Sequence, residues 1–381
     1  MTSVESSPPL QSAPPRPKSR YIMLGGFLGA GKTTAVAALA QHLSARGKRV
    51  GLITNDQGSE LVDTAMLRSR GFETEEITGG CFCCRFNTLT DAARKLTEST
   101  RPDVFIAEPV GSCTDLVATV TYPLRRIYGN EFTIAPLSVL VDPIRAERVL
   151  GLAEGGKFSD KVTYIYRKQL EEADLLVITK SDLLDAARIE RLREALIGIR
   201  GADVIAVSVR TGAGVRDWFD RITQSEQPAR STMEVDYELY AEGEALLGWL
   251  NATVQLTGKP TFDSETVLKS LAGDIQQRLA TEGAEIAHLK MTLSPDAGLG
   301  DVAAINLVRS DFVPELSLRL EEPVSSGQLV INCRAEVAPE VIRDAVKAAV
   351  AALDASGPAA TLEHLEFFRP GKPQPTHRDV L

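Results

Sequence analysis

The chain has 381 residues, of which 44% are hydrophobic and 24% charged, a composition that predicts a globular protein of about two domains with a sizeable core. Its formal net charge of −9 argues against a nucleic-acid partner, since a phosphate-binding surface wants a basic face. There is no apolar run long enough to span a membrane and no charged-then-apolar leader, so a reducing cytoplasm is the expected setting.

In chain order, residues 1–20 are rich in Pro and Ser and predict a disordered tail. From Tyr21 the pattern changes to a short apolar strand, a glycine loop and a helix from Thr33 to about Ala45. Further apolar runs at 48–54, 103–108, 137–142, 173–180 and 202–209 alternate with helical stretches such as Asp182 to Ile199. Short continuous apolar strands alternating with helices predict an α/β domain, residues 21–228, around a mainly parallel sheet buried on both faces. Ligands of such sheets bind beyond the carboxyl ends of the strands.

The pattern breaks at QSEQPAR (224–230), and residues 229–369 read as a smaller α+β C-terminal domain. Helices are predicted near 264–281 and 338–354. Alternating segments such as AHLKMTLS and LVINCRAE predict an antiparallel sheet with one wet face. This half carries no catalytic signature. Trp218 and Trp249 read as core or interface aromatics, and 370–381 as a second tail.

Gly26-Phe-Leu-Gly29-Ala30-Gly31-Lys32-Thr33 fits the phosphate loop of a P-loop NTPase, between a strand and a helix as the pattern requires. Glycines let backbone N–H groups converge on phosphate oxygens, and the helix N-terminus favours an anion. Lys32 is placed to reach the β and γ phosphates, Thr33 to ligate Mg²⁺ and Thr34 to contact the α-phosphate. Thr179-Lys180-Ser181-Asp182 and Ser208-Val-Arg-Thr-Gly-Ala-Gly each follow a strand. They resemble the base-reading elements of GTPases, in which an aspartate accepts from guanine. An N-cap role is the alternative reading of Asp182.

Cys81, Cys83 and Cys84 fall within GGCFCC, residues 79–84. Three thiols so close make a soft site suited to Zn²⁺ or another thiophilic ion, with a position left open for transfer. A redox disulfide and a tight buried turn are the alternatives.

With GGFLGAGKTT (25–34), TNDQG (54–58), GGCFCC, AEPVG (107–111), TKSD and SVRTGAG, the stretch 21–224 resembles the CobW-like metal-trafficking GTPases, relatives of the nickel-inserting GTPases of hydrogenase and urease maturation. The resemblance implies that Glu108 lies by Mg²⁺ and the attacking water and that the Gly111 amide senses the γ-phosphate. It gives Asp56 a place near Mg²⁺ or the transported metal. Ser59 stands where the family has a second acid, with Glu60 beside it. Cys113 reads as a buried hydrophobe or a fourth sulfur, Cys333 as packing, and none of the four histidines as a ligand.

The implied function is a GTP-hydrolysing metallochaperone. It uses Lys32, Glu108 and Asp56 in catalysis, binds GTP/GDP and Mg²⁺, and carries a transition metal, zinc first and cobalt or iron otherwise. The implied partner is a client metalloenzyme or cofactor-assembly protein, with homodimerisation left open. The alternatives are a regulatory or maturation GTPase with structural cysteines and an ATP-dependent small-molecule phosphotransferase.

Overall fold

A computed structural model describes residues 17–56, 62–297 and 300–380; most of the first predicted tail and positions Ser59 and Glu60 lie outside them. The first half alternates as predicted: β1 (Ser19–Gly26), α1 (Lys32–Ser44), β2 (Val50–Asn55), α2 (Val62–Ser69), β3 (Thr74–Ile77), α3 (Phe86–Ser99) and β4 (Val104–Glu108). A π-turn at Val117–Thr121 runs into α4 (Tyr122–Tyr128). Then come β5 (Phe132–Ile134), β6 (Ser138–Val141), α5 (Pro143–Val149), α6 (Asp160–Glu172), β7 (Leu175–Ile178), α7 (Ala186–Arg200), β8 (Asp203–Ala206) and α8 (Val215–Gln224).

These strands form one parallel sheet in the order β3-β2-β4-β1-β6-β7-β8, with β5 beside the start of β1. The central strands β1, β4, β6 and β7 are almost wholly buried, as their unbroken apolar runs require. Helix α7 starts later than the sequence suggested. Its N-cap is Asp185, which accepts from the Arg188 amide, while Asp182 stands in a 3₁₀ turn just before it. Asp182 is therefore left to face the ligand cavity instead of capping a helix.

After α9 (Tyr237–Leu246) comes a second, antiparallel sheet. It comprises β9 (Leu247–Phe262), β10 (Glu285–Pro295), β11 (Ala303–Leu307), β12 (Glu315–Leu318), β13 (Val324–Glu336) and β14 (Ala359–Phe368), in the order β12-β11-β10-β13-β9-β14. Helices α10 (Ser264–Thr281) and α11 (Pro339–Ser356) cover one face through Leu268, Leu271, Ile275, Ile342 and Val346.

The other face is polar, as period-2 alternation demands, but it is not wet. Asn251, Thr253, His288, Thr292, Asn332 and Arg334 are all buried, Arg334 completely. This corrects the expected solvated face: it is turned against the first half. Arg334 bonds to Asp56, Asn332 accepts from the Val62 amide, and Lys290 pairs with Asp63. Alternation sets which residues share a face, and for Asn332, Arg334 and Lys290 groups across the seam take the place of water.

The predicted second tail also differs from expectation. Residues 374–379 lie along the cysteine segment: the Thr376 amide donates to the Cys83 carbonyl at 2.8 Å and the Gln374 amide to Cys84 Sγ at 3.1 Å. Arg378 pairs with Asp115 and Asp379 with Arg126, while the His377 ring meets Phe86 edge-on. A composition poor in apolar groups does not preclude docking when backbone amides and ion pairs supply the contacts.

Candidate nucleotide and metal sites

The glycine loop leaves β1 at Gly26, where the chain must turn sharply beside a neighbouring strand. Gly26 has φ +128°, and a Cβ there would stand 2.4 Å from the Leu140 carbonyl oxygen, so only glycine fits. Lys32 is buried and donates to the Gly26 and Phe27 carbonyls at 3.0 and 3.4 Å, which folds its ammonium back over the loop. Burial lowers its pKa, and Glu108 opposes that. Thr33, in the first turn of α1, has its hydroxyl 2.7 Å from Asp63 Oδ1 and 2.9 Å from Glu108 Oε1.

Glu108 ends β4 as predicted. Burial, then the neighbouring Asp63, push its carboxyl up to about 7, against the pull of Lys32 and Lys290. Its second oxygen, Oε2, has no hydrogen-bond partner among the described residues. Hydroxyl and carboxylate oxygens converging on one point form a hard donor set that fits Mg²⁺. Asp63 was not singled out in the sequence. Nothing local marks it among 51 acidic residues, and only the return of α2 towards the loop brings it to Thr33. Asp56 lines the same cavity but is held by Arg334 at 3.1 Å.

The cavity measures about 550 Å³, a size suited to a nucleotide. Gly29, Gly31, Lys32, Thr33 and Thr34 line one side, Gly111 another. Gly26 and Ala30 act through carbonyls: Ala30 O accepts from Thr179 Oγ1 at 2.9 Å. Lys180 Nζ bridges the Gly29 carbonyl at 2.9 Å and Asp142 at 2.7 Å. Burial would raise Asp142, but Lys180 and Arg309 overcome it and hold the carboxyl at about 2. Thr179, Lys180, Asp182 and Ser208 all face the cavity, so the TKSD and SVRTGAG segments both reach it. Trp249, His288, Lys290 and Arg309, from the second sheet and the loop after β11, close the cavity on a further side. Sequence reasoning found none of them as site residues.

The sulfur cluster lies one step away. Sγ of Cys81 is 2.9 Å from that of Cys83 and 3.2 Å from that of Cys84, and Cys83 and Cys84 are 3.7 Å apart. One thiophilic ion can touch all three. Hydrogen bonding within the cluster, with Cys113 first and then Cys83 and Cys84, holds the Cys81 thiol well below its usual range. Cys83 is raised well above, and Cys84 is pushed up to about 11 by its contact with Cys81. Cys113 packs in the same buried cluster as Cys81 and Cys83, its thiol raised by burial and by Cys81, but it is not among the three sulfurs placed for one ion. Cys333 packs in the second core.

Two short routes join the sites. Asn55, at the cavity wall, donates from its amide to Gly80 O at 2.7 Å and Ile77 O at 3.0 Å, fixing the segment that precedes Cys81. Gly111 presses on the phosphate loop so closely that a Cβ would stand 3.0 Å from the Leu28 nitrogen, and Cys113 follows two residues later. Gln169 steadies that loop by donating to the Gly111 and Cys113 carbonyls at 2.9 and 2.8 Å.

Residues 20–206 match the family described as "CobW/HypB/UreG, nucleotide-binding domain". The zinc chaperone CobW of Sinorhizobium sp is 31% identical over 201 residues, 45% of this chain and 53% of that protein. The zinc chaperone YjiA of Escherichia coli is 28% identical over 185 residues, 46% and 53%. The match thus spans about half the length of these relatives. The solved structure of Zn(II)-bound YjiA GTPase from E. coli aligns over 87% of this chain and 99% of that one at 16% identity, with a TM-score of 0.37. With phosphate loop, TKSD and SVRTGAG segments and thiol cluster joined in one parallel-sheet unit, residues 20–206 form a nucleotide-binding domain of the CobW/HypB/UreG family.

Proposed function

We propose that the chain is a Mg²⁺-dependent GTPase that carries a transition metal at Cys81, Cys83 and Cys84 and couples its delivery to a client protein to GTP hydrolysis. The observation that carries this reading is the loop Gly111–Cys113, which presses on the phosphate loop at one end and shares a buried cluster with Cys81 and Cys83 at the other. Lys32 and the loop amides bind the phosphates, and Asp182, Thr179 and Ser208 read the guanine. Thr33, with Asp63 and Glu108, would hold Mg²⁺, which supplies charge neutralisation on the phosphates when bound. The buried Glu108 orients the attacking water, and Asp56 lies in the same wall, tied to the second half. Loss of the γ-phosphate releases the Gly111 loop and loosens Cys113 against Cys81, an order-to-disorder device of a known physical kind. The thiol donors, and relatives named as zinc chaperones, favour zinc as cargo.

The test is a zinc competition titration with GDP and with a non-hydrolysable GTP analogue, alongside GTP turnover. Lys32→Ala should abolish turnover, while Cys83→Ala should leave it intact and weaken zinc binding at least about ten-fold. Equal zinc affinity in the Cys83→Ala variant rules out the site. Zinc affinity indifferent to the nucleotide rules out the coupling.

A further inference from the structure

Strand β10 has two faces. Leu289, Met291 and Leu293 enter the core under the helices, and His288, Lys290 and Thr292 point the other way, into the seam. Lys290 Nζ is 2.7 Å from both carboxylate oxygens of Asp63 and 3.5 Å from the Thr33 hydroxyl. It therefore stands beside the phosphate loop.

The walls around it carry polar atoms that want a ligand. His288 Nδ1 and Trp249 Nε1, from the second sheet, have no hydrogen-bond partner among the described residues. The same holds of Glu108 Oε2 and Asn55 Oδ1 on the facing wall. All four residues are nine-tenths or more buried and all line the one cavity. Buried polar groups are almost always paired, so four unpaired ones around one space mark a binding surface that both halves share.

We propose that Lys290 binds the terminal phosphate of the nucleoside triphosphate, so that the C-terminal half of the chain distinguishes triphosphate from diphosphate. The inference rests on the nucleotide reading above. Two of the ammonium's three N–H groups are engaged by Asp63. The third meets only the Thr33 hydroxyl at 3.5 Å, a weak contact that a charged phosphate oxygen outcompetes. Asp63 keeps the ammonium aimed at that place, and Lys32 approaches the same phosphates from the loop. A diphosphate, ending one group short, does not need the second cation. Lys290 belongs to a strand that also packs under α10, so phosphate binding is felt directly by the second sheet.

The experiment measures the affinity of full-length wild type, Lys290→Met, Lys290→Arg and Lys32→Ala for fluorescent GDP and a non-hydrolysable GTP analogue, with Mg²⁺ and with EDTA. Lys290→Met should weaken the analogue about ten-fold or more and leave GDP within about two-fold, in both media. Retained GDP affinity also shows that the variant folds. Lys290→Arg should keep most of the preference for the analogue. Equal loss of both nucleotides, no loss, or loss only with Mg²⁺ overturns the proposal. The Mg²⁺-confined loss would mean that Lys290 merely holds Asp63. A wild type that binds neither nucleotide, or Lys32→Ala binding undiminished, overturns the underlying reading instead.

Discussion

Arg334 shows how one residue can serve two halves of a chain. Its guanidinium is wholly buried, lies 4.1 Å over the Trp249 ring, and donates to the Leu250 carbonyl at 2.7 Å and the Asn251 side chain at 2.8 Å before reaching Asp56. Each contact compensates part of a desolvation cost that no single partner could offset. Arg334→Ala leaves those acceptors facing a hole, and breaking such a buried pair costs about 3 kcal/mol. Urea denaturation of wild type and variant measures it; a loss under about 1 kcal/mol would mean that water replaces the guanidinium at no great expense. Sequence pattern placed Arg334 on the polar face of a strand and could say no more, because the partner that justifies its burial is 278 positions away. A separation of 227 positions likewise hid the pairing of Lys290 with Asp63. By contrast, Lys32, Thr33, Asp182 and the three clustered cysteines were legible, since a few adjacent residues determine their chemistry.

At the scale of elements, the segment 374–379 behaves as a strap. It holds the cysteine turn through the Thr376 amide on the Cys83 carbonyl and the Thr376 hydroxyl on the Cys84 carbonyl, and its ion pairs, Arg378–Asp115 and Arg126–Asp379, anchor it at the π-turn end of the Gly111 loop. Such partly exposed bonds are each worth about 1 kcal/mol, so the strap can lift without unfolding the domain. Thr376→Pro removes the amide that bonds to the Cys83 carbonyl. It should speed reaction of Cys84 with a thiol reagent severalfold in metal-free protein, with secondary structure unchanged by circular dichroism. An unchanged rate would show that the strap does not limit access. The strand-helix alternation of the first half was readable because each strand is a continuous apolar run. The strap was not, because docking through backbone amides leaves no mark on composition.

For the molecule as a whole, stability should depend on pH through Glu172, buried at the end of α6. Burial, reinforced by Asp115, pushes its carboxyl up to about 8 from the usual 4.5, although the Leu116 and Val117 amides and the Thr114 hydroxyl donate to it. The folded state therefore holds this proton more tightly than the unfolded chain. The stability it contributes is fully present below pH 4.5 and is lost as pH rises to about 8. Glu172→Gln cannot titrate, so its urea midpoint should fall less than that of wild type between pH 5.5 and 8.5. An identical fall in both proteins would assign the dependence to other groups.

The seam between the two sheets has one more implication. It mixes buried amides, hydroxyls, an imidazole and guanidinium groups with a small apolar cluster of Val62, Met66 and Ala304, flanked by Leu318 and Val330. Swinging the halves apart would hand the polar groups back to bulk solvent, which welcomes them, but would also wet the oily patch between α2 and the second sheet. The oily patch therefore works as a weak spring that draws a parted seam shut, while the polar groups keep the parting from being ruinous.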